Sequence, residues 1–322
     1  MDSPPFDATD TIGALVIGVI VSIMLYGIST TQTYLYFVRF PEDSNFLRLL
    51  VIFVWLCETV HAGIIGHVLY FYSVTNYGNP KSLLEKVPGT LPVSIVITGV
   101  ITALVQGFFA YRIWAFSTNR IFKLISVVIC LTDVAYLGAS FAATILSFSV
   151  KNIQQFLRQY GWLLFGPWIV TLINDVAITG SLVVLLLRNR TKGLALTTAL
   201  VDKLIKWAVE TGLITSLFGV VTIIYYQKHT ATFIWVGLQI IKARLFANSL
   251  LASLNSRTTL RAIASEPDPT LGTIPTGTML STLPSGSRNM STVAFRGDPE
   301  FGHERTSTHD DDDVVVPQYK GI

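Results

Sequence analysis

Seven ionisable residues interrupt long apolar stretches of this 322-residue chain. They are four acids, two bases and one histidine: Glu58, His61, Asp133, Asp175, Glu210, Lys242 and Arg244. An ionisable side chain in apolar surroundings costs several kcal/mol unless it is paired or faces a wet cavity. These residue types can therefore form ion pairs, exchange a proton, or bind a small molecule or an ion. Glu58 and His61 are three residues apart, which places them on one face of a helix.

The apolar stretches around these residues have the length of membrane-spanning helices. A helix rises about 1.5 Å per residue, so roughly 20 mostly apolar residues cross the hydrocarbon core of a bilayer. Seven runs reach that length, at residues 12–38, 47–72, 91–114, 121–146, 160–187, 201–226 and 232–254. Only 13% of the residues are charged, against about 25% in soluble domains. We therefore predict an all-α integral membrane protein whose seven transmembrane helices lie within residues 11–257.

Basic residues near the ends of the runs predict which side of the membrane each end faces, because cytoplasmic loops carry the excess of Lys and Arg. If the N-terminus is outside, the inner side collects Arg39, Arg48, Arg112, Arg120, Lys123, Arg188, Arg190, Lys192, Lys203 and Lys206. The outer side then has half as many: Lys81, Lys86, Lys151, Arg158 and Lys228. This asymmetry predicts an extracellular N-terminus over residues 1–10; the inverted topology is the alternative.

The C-terminal segment, residues 258–322, differs from the apolar body. It is rich in Ser, Thr, Pro and Asp and has few large apolar residues, so it cannot bury enough surface to offset the entropy of ordering. We predict a disordered cytoplasmic tail, which is either a kinase substrate or a solvated spacer. The two cysteines, Cys57 and Cys130, lie in apolar runs, which argues against a disulfide framework or a cysteine-rich zinc site.

The depths of the ionisable residues predict one charged layer near the membrane midplane. Glu58, Asp133, Asp175 and Arg244 lie roughly 15–18 Å from the predicted inner ends of their helices, and Lys242 a little deeper. Lys242 and Arg244 are two residues apart, about 200° around a helix, so both cannot point into one pocket. The layer is either a site for a small molecule, an ion or a proton, or a network that only fixes helix packing.

Other polar residues extend this candidate site. Gln106 and Asn248 lie inside predicted spans and join the polar core as possible ligand or packing groups. At the predicted inner side, Arg112, Arg188 and Arg190 are candidates for contact with a cytoplasmic partner. For Arg112, a side chain that snorkels to the lipid headgroups is the simpler interpretation.

Several motifs in the apolar body give it a resemblance to a known family. They include Glu58-Thr59-Val60-His61, Gln106-Gly107-Phe108-Phe109-Ala110-Tyr111-Arg112 and Asn248-Ser249-Leu250-Leu251-Ala252-Ser253-Leu254-Asn255-Ser256-Arg257. With these motifs the chain resembles the fungal, chiefly basidiomycete, seven-helix membrane family known only as a domain of unknown function. That family usually has Asp where this chain has Glu58, and its basic residue before Asn-Ser-Leu-Leu matches Arg244. The resemblance implies the same topology and implies no activity.

Two functions fit these features. The first is a receptor-like or sensory protein, because seven helices, an outer N-terminus, basic inner loops and a Ser/Thr-rich tail suit that plan. The third run ends Tyr111-Arg112-Ile113 rather than Asp-Arg-Tyr, and the seventh lacks Asn-Pro-x-x-Tyr, so the chain is not a standard member of the large receptor class. The second is transport of protons or a small solute through the polar layer.

Other classes fit less well. Lys242 could hold retinal, but the third run offers no acidic counter-ion and Leu238 stands where microbial rhodopsins carry Asp. Glu58 and His61 with His67 suggest a metal, yet matching ligands on a facing helix are missing from the sequence pattern. We therefore expect no enzyme, catalytic residue, metal or cofactor. The expected partners are a lipid bilayer, which we predict to be the plasma membrane, and a cytoplasmic signalling protein. Nucleic acid is not an expected partner, and the sequence does not indicate the oligomeric state.

Overall fold

The computed structural model describes residues 9–77, 87–150, 152–190, 195–230 and 232–257. In these ranges the chain forms eight α-helices: α1 Ala14–Arg39, α2 Asn45–Tyr70, α3 Thr90–Phe116, α4 Arg120–Ser147, α5 Ile153–Tyr160, α6 Trp162–Arg190, α7 Ala195–Lys228 and α8 Ile234–Asn255. Short π-helical turns precede α1 and follow α2, at Thr9–Gly13 and Phe71–Thr75. The predicted tail, 258–322, and most of the predicted N-terminal segment, 1–10, lie outside the described residues.

All of these helices except α5 are long and apolar enough to cross a membrane, which confirms the seven predicted spans. The segment between the fourth and fifth spans contains the short helix α5, which was not predicted. Its start is capped by Asn152, whose side chain accepts a hydrogen bond of 2.8 Å from the backbone N–H of Gln155. Which membrane face each end meets stays a prediction, and we call the end where α1 begins the predicted outer end.

The seven long helices form a closed ring, in which each packs on the next along the chain and α8 returns to α1. Two of them make further contacts across the ring: α3 also contacts α6 and α8, and α8 also contacts α2. The most apolar stretch of α8 is 72% buried inside the protein, whereas the corresponding stretches of the other six long helices are 22–44% buried. Since α8 is surrounded by protein, it can carry polar residues at a depth where lipid would exclude them.

The outward faces of the ring are apolar. On α4, for example, Leu124 is 64% exposed, Leu131 65% and Val134 70%. Such a surface is stable in contact with lipid tails and not in water. The membrane therefore completes the environment of these helices.

Helices α1 and α8 run parallel and approach each other more closely than ordinary side chains allow. A Cβ atom built on Gly18 would lie 2.6 Å from the Cα of Gly237. Further along, Asn248 donates a hydrogen bond of 3.1 Å to the carbonyl of Leu25, and Asn255 one of 2.8 Å to the carbonyl of Gln32. Small residues and interhelical hydrogen bonds are the usual means of holding helices together in lipid.

Candidate functional site

The predicted polar layer contains a buried ion pair between α2 and α8. Arg244 Nη1 lies 2.8 Å from Glu58 Oε2, and both side chains have no exposed surface. The same nitrogen donates a hydrogen bond of 2.8 Å to the backbone carbonyl oxygen of Glu58. The guanidinium therefore contacts both the backbone and the side chain of this residue. A buried charge pair of this kind is stable only when further hydrogen bonds satisfy its remaining atoms.

Helix α1 supplies part of that support to Arg244. Its Nε donates a hydrogen bond of 2.9 Å to Ser22 Oγ, and the guanidinium carbon lies 5.4 Å from the centre of the Tyr26 ring, within the range of a cation–π contact. Arg244 thus ties α8 to both α1 and α2. Its Nη2 and the Oε1 of Glu58 have no hydrogen-bond partner.

A second polar cluster joins α3, α4 and α6. Gln106 Nε2 donates to Asp175 Oδ1 at 2.6 Å, and Asn174 Nδ2 lies 3.3 Å from Gln106 Oε1 and 3.2 Å from Asp133 Oδ1. The two amides therefore bridge the two carboxyl groups, and we call these four residues the amide–carboxyl cluster. One oxygen of each carboxyl, Asp133 Oδ2 and Asp175 Oδ2, is buried without a hydrogen-bond partner.

The charge of Lys242 interacts with Asp175 of the amide–carboxyl cluster, and its side chain points away from Arg244. A Cβ atom added at Gly219 would lie 3.2 Å from Lys242 Nζ, so the ammonium faces α7. It also lies 5.3 Å from the centre of the Phe246 ring. Among the described residues, no carboxylate oxygen lies within 4 Å of it. The two bases therefore diverge, as their spacing predicts.

The remaining predicted site residues do not join the layer. Asn248 donates to the carbonyls of Leu25 and Arg244 and holds α1 against α8. Arg112 donates to Ser253 Oγ, which fixes it to the end of α8 rather than leaving it free to snorkel. Arg188 is exposed and lies 5.5 Å from the Phe122 ring centre. The side chain of Arg190 lies outside the described part of the structure.

A cavity of about 100 Å³ opens above the polar layer, toward the predicted outer end. Its walls come from the first turns of α3, α6 and α8, the last turns of α4, and the short helix α5. Most of the lining is apolar and aromatic, including Ile95, Tyr136, Phe156, Leu164, Trp168 and Trp235. Among the lining residues that the structure describes, none is Asp, Glu, Lys or Arg.

The deep end of this cavity carries an unsatisfied polar group. His61 lines it and is only 1% exposed. The Nε2 of His61 lies 3.3 Å from Thr98 Oγ1, whereas its Nδ1 has no hydrogen-bond partner. Gln239 also lines the cavity and carries a side-chain amide. A buried polar atom left without a partner costs about 1–3 kcal/mol.

The floor of the cavity lies one helical turn above the polar layer. On α2 the cavity residue His61 is three positions from Glu58, and on α4 Tyr136 is three positions from Asp133. On α8 the cavity residue Ile240 stands four positions before Arg244. Residues three or four apart stack on one helix face, so a change at the floor bears directly on the ion pair and on the amide–carboxyl cluster.

The polar layer beneath this cavity could be predicted from the sequence, whereas the walls of the cavity and the helix α5 were not predicted. Trp168, Trp235 and Phe156 were not distinguished from lipid-facing aromatics, since hydropathy does not say which way a ring points. A signal for α5 was present: Ile153, Phe156 and Leu157 recur at helical spacing among polar residues. Ile153 and Phe156 are the buried face of that helix.

A second, smaller cavity of about 40 Å³ lies among α3, α6, α7 and α8, below the first. Gln106 and Asp175 of the amide–carboxyl cluster line it, together with Thr215 and Ser249. The cluster therefore lies between two cavities. No group of three or more His, Cys, Asp or Glu side chains that could hold a metal occurs within the described ranges.

Comparison with known proteins gives one match. The model of a family of unknown function (DUF6534) matches residues 171–259, a stretch that includes the greater part of α6 and all of α7 and α8. The chain matches no curated protein and no solved structure. The match confirms a domain of unknown function at residues 171–259, whereas the resemblance of the preceding helices and its fungal range stay predictions.

Proposed function

We propose that this chain is a receptor-like membrane sensor that binds a small molecule in the cavity at the predicted outer end. The cavity supports this proposal most directly, because it is walled by the outer turns of the helices and its floor lies one helical turn above the polar layer. A ligand bound there would touch several helices and could favour one packing of the bundle over another. The predicted inner loops would then present that packing to a cytoplasmic partner.

Helix α6 has a feature that suits such a change. Pro167 lies inside α6, next to the cavity residue Trp168. Proline has no N–H, so α6 lacks one backbone hydrogen bond beside the cavity and bends there more easily. Movement of Trp168 would reach Thr171 and Asp175 along the same helix, and through them the amide–carboxyl cluster.

Proximity labelling from the C-terminus in the native cell tests this role. Ser94 is 7% exposed and lines the cavity, whereas its neighbour Val93 is 37% exposed. We expect signalling proteins among the labelled neighbours, and we expect Ser94→Phe, which fills the cavity, to change that set. The matched variant Val93→Phe should leave it unchanged. Neighbours that are transport or metabolic proteins, and that neither variant alters, would contradict the proposal.

Transport of protons or a small solute is the second candidate, and the position of Asp175 favours it. Asp175 lines the lower cavity, and its carboxyl group accepts a hydrogen bond from Gln106. The upper cavity lies above these two residues. A route between the cavities would pass this cluster. Transport would be supported if liposomes containing the protein take up protons or a solute and Asp175→Asn abolishes this flux. Liposomes that contain the protein and show no flux would rule transport out.

A further inference from the structure

The chemistry of the upper cavity limits what it can bind, on the premise that the cavity is the ligand site of the proposed sensor. Its volume of about 100 Å³ is somewhat smaller than that of an engineered protein cavity of roughly 150 Å³ that binds benzene. A ligand of about benzene size therefore fills the cavity, and the walls move outward to admit it. Flat aromatic walls such as Trp168 and Trp235 suit a planar or slender apolar group.

Charge excludes two classes of ligand. No described lining residue carries a charge, so an acid or an amine would lose its hydration without gaining an ionic partner, at a cost of several kcal/mol. The buried carboxylate one turn below His61, that of Glu58, is already paired with Arg244. The ligand that fits is neutral.

The unpartnered nitrogen of His61 adds a requirement for one polar group. His61 Nδ1 is buried without a hydrogen-bond partner at the deep end of the cavity. Its other nitrogen is engaged by Thr98 at 3.3 Å, so Nδ1 is an acceptor or a donor according to the tautomer. A hydroxyl group can serve either tautomer, since it both donates and accepts. Gln239 offers a further amide to the same space.

From this combination we infer that the cavity binds a small neutral alcohol of about benzene size, with its hydroxyl group on His61 Nδ1 and its apolar body against the aromatic walls. A compound without the hydroxyl leaves Nδ1 unsatisfied. A compound with a carboxylate in its place is disfavoured by desolvation.

Three compounds of nearly the same shape test this inference: benzyl alcohol, toluene and benzoate. Binding is measured on the purified full-length protein in lipid nanodiscs by tryptophan fluorescence, since Trp168 and Trp235 line the cavity. Ser94→Phe and Val93→Phe separate cavity binding from partition into lipid, because only the first change fills the cavity. We expect benzyl alcohol to bind about tenfold more tightly than toluene, the value of one good hydrogen bond. We expect no cavity binding of benzoate.

His61→Leu removes the hydrogen-bonding group while keeping an apolar side chain of similar bulk. This substitution should weaken the binding of benzyl alcohol about tenfold and leave the binding of toluene unchanged. Toluene or benzoate binding as tightly as benzyl alcohol in the unmodified protein would overturn the ligand class, while leaving the cavity as the site of a sensor. The comparison of compounds does not depend on His61→Leu, so it decides even if that variant does not fold. If Ser94→Phe removes none of the fluorescence signal of benzyl alcohol, the compound does not bind in the cavity and the inference is overturned. The proposed function is tested separately by the labelling experiment.

Discussion

Arg244 Nη1 lies 2.8 Å from Glu58 Oε2 with neither side chain exposed. This pair joins the most buried helix of the ring, α8, to α2, one turn below the cavity residue His61. It is a structural anchor that lies directly beneath the cavity floor. Its stability and its response to the cavity can be measured separately.

The first prediction concerns the anchor. Glu58→Leu should destabilise the protein by about 3–5 kcal/mol, because it leaves the Arg244 charge buried without its partner. The double variant Glu58→Leu with Arg244→Met should recover most of that loss, since no charge remains buried. Thermal unfolding in detergent measures both. Val60→Ala on the same helix, at a position 54% exposed, is the control, and a double variant no more stable than Glu58→Leu would contradict the pairing.

The second prediction concerns the close approach of α1 and α8. Gly18→Ala places a Cβ atom 2.6 Å from the Cα of Gly237, so the helices must separate, at an expected cost of about 1–3 kcal/mol. The same change at Gly27 meets nothing within 4 Å and should be neutral or slightly stabilising. Unfolding temperatures that are equal for the two alanine variants would show that the helices do not meet at Gly18.

The third prediction concerns the amide–carboxyl cluster. Asn174→Ala removes the hydrogen bonds from Asn174 Nδ2 to Asp133 and Gln106, and we expect a loss of about 1–3 kcal/mol in the free energy of unfolding. Ile173→Ala is the matched control, because Ile173 is 61% exposed on the lipid side of the same helix. If the control loses as much stability as Asn174→Ala, the cluster contributes nothing beyond ordinary packing.

The fourth prediction concerns the predicted inner end. Arg257 Nη2 lies 2.5 Å from Asp43 Oδ2, with the two side chains 29% and 12% exposed, and Tyr36 donates to the same carboxyl group at 2.9 Å. Because the pair is partly solvated, Asp43→Ala should cost only about 1 kcal/mol. Glu42→Ala, the adjacent exposed acid, should cost nothing measurable. If Asp43→Ala destabilises the protein as much as Glu58→Leu does, the Asp43–Arg257 pair would have to be as fully shielded from solvent as the Glu58–Arg244 pair.

Much of the fold could be predicted from the sequence, because length and hydropathy are local properties. The seven spans follow from them, and the burial of Glu58, Asp133, Asp175 and Arg244 follows from the cost of placing charge against lipid. Their pairing does not follow. It depends on the rotation of each helix about its axis, so the choice of Glu58 over the other acids as the partner of Arg244 needed the structure.

The cavity was harder to predict for a related reason. Its walls are ordinary apolar and aromatic residues, such as Trp168 and Ile95, whose type is the same whether they face lipid, protein or a ligand. The contact of Gly18 with Gly237 joins residues 219 positions apart and leaves no local pattern. Helix α5 could have been found from the spacing of Ile153 and Phe156, although its position over the cavity could not.

In the proposed sensor, filling the upper cavity changes the packing of the helices at the predicted inner end. Spin labels at Val38 and Leu187, which are 59% and 43% exposed, report the distance between α1 and α6 there, once Cys57 and Cys130 have been replaced by Ala. We predict that Ser94→Phe, which occupies the cavity, shifts this distance distribution, and that Val93→Phe leaves it as in the parent protein. Identical distributions for the parent and both variants would contradict the account.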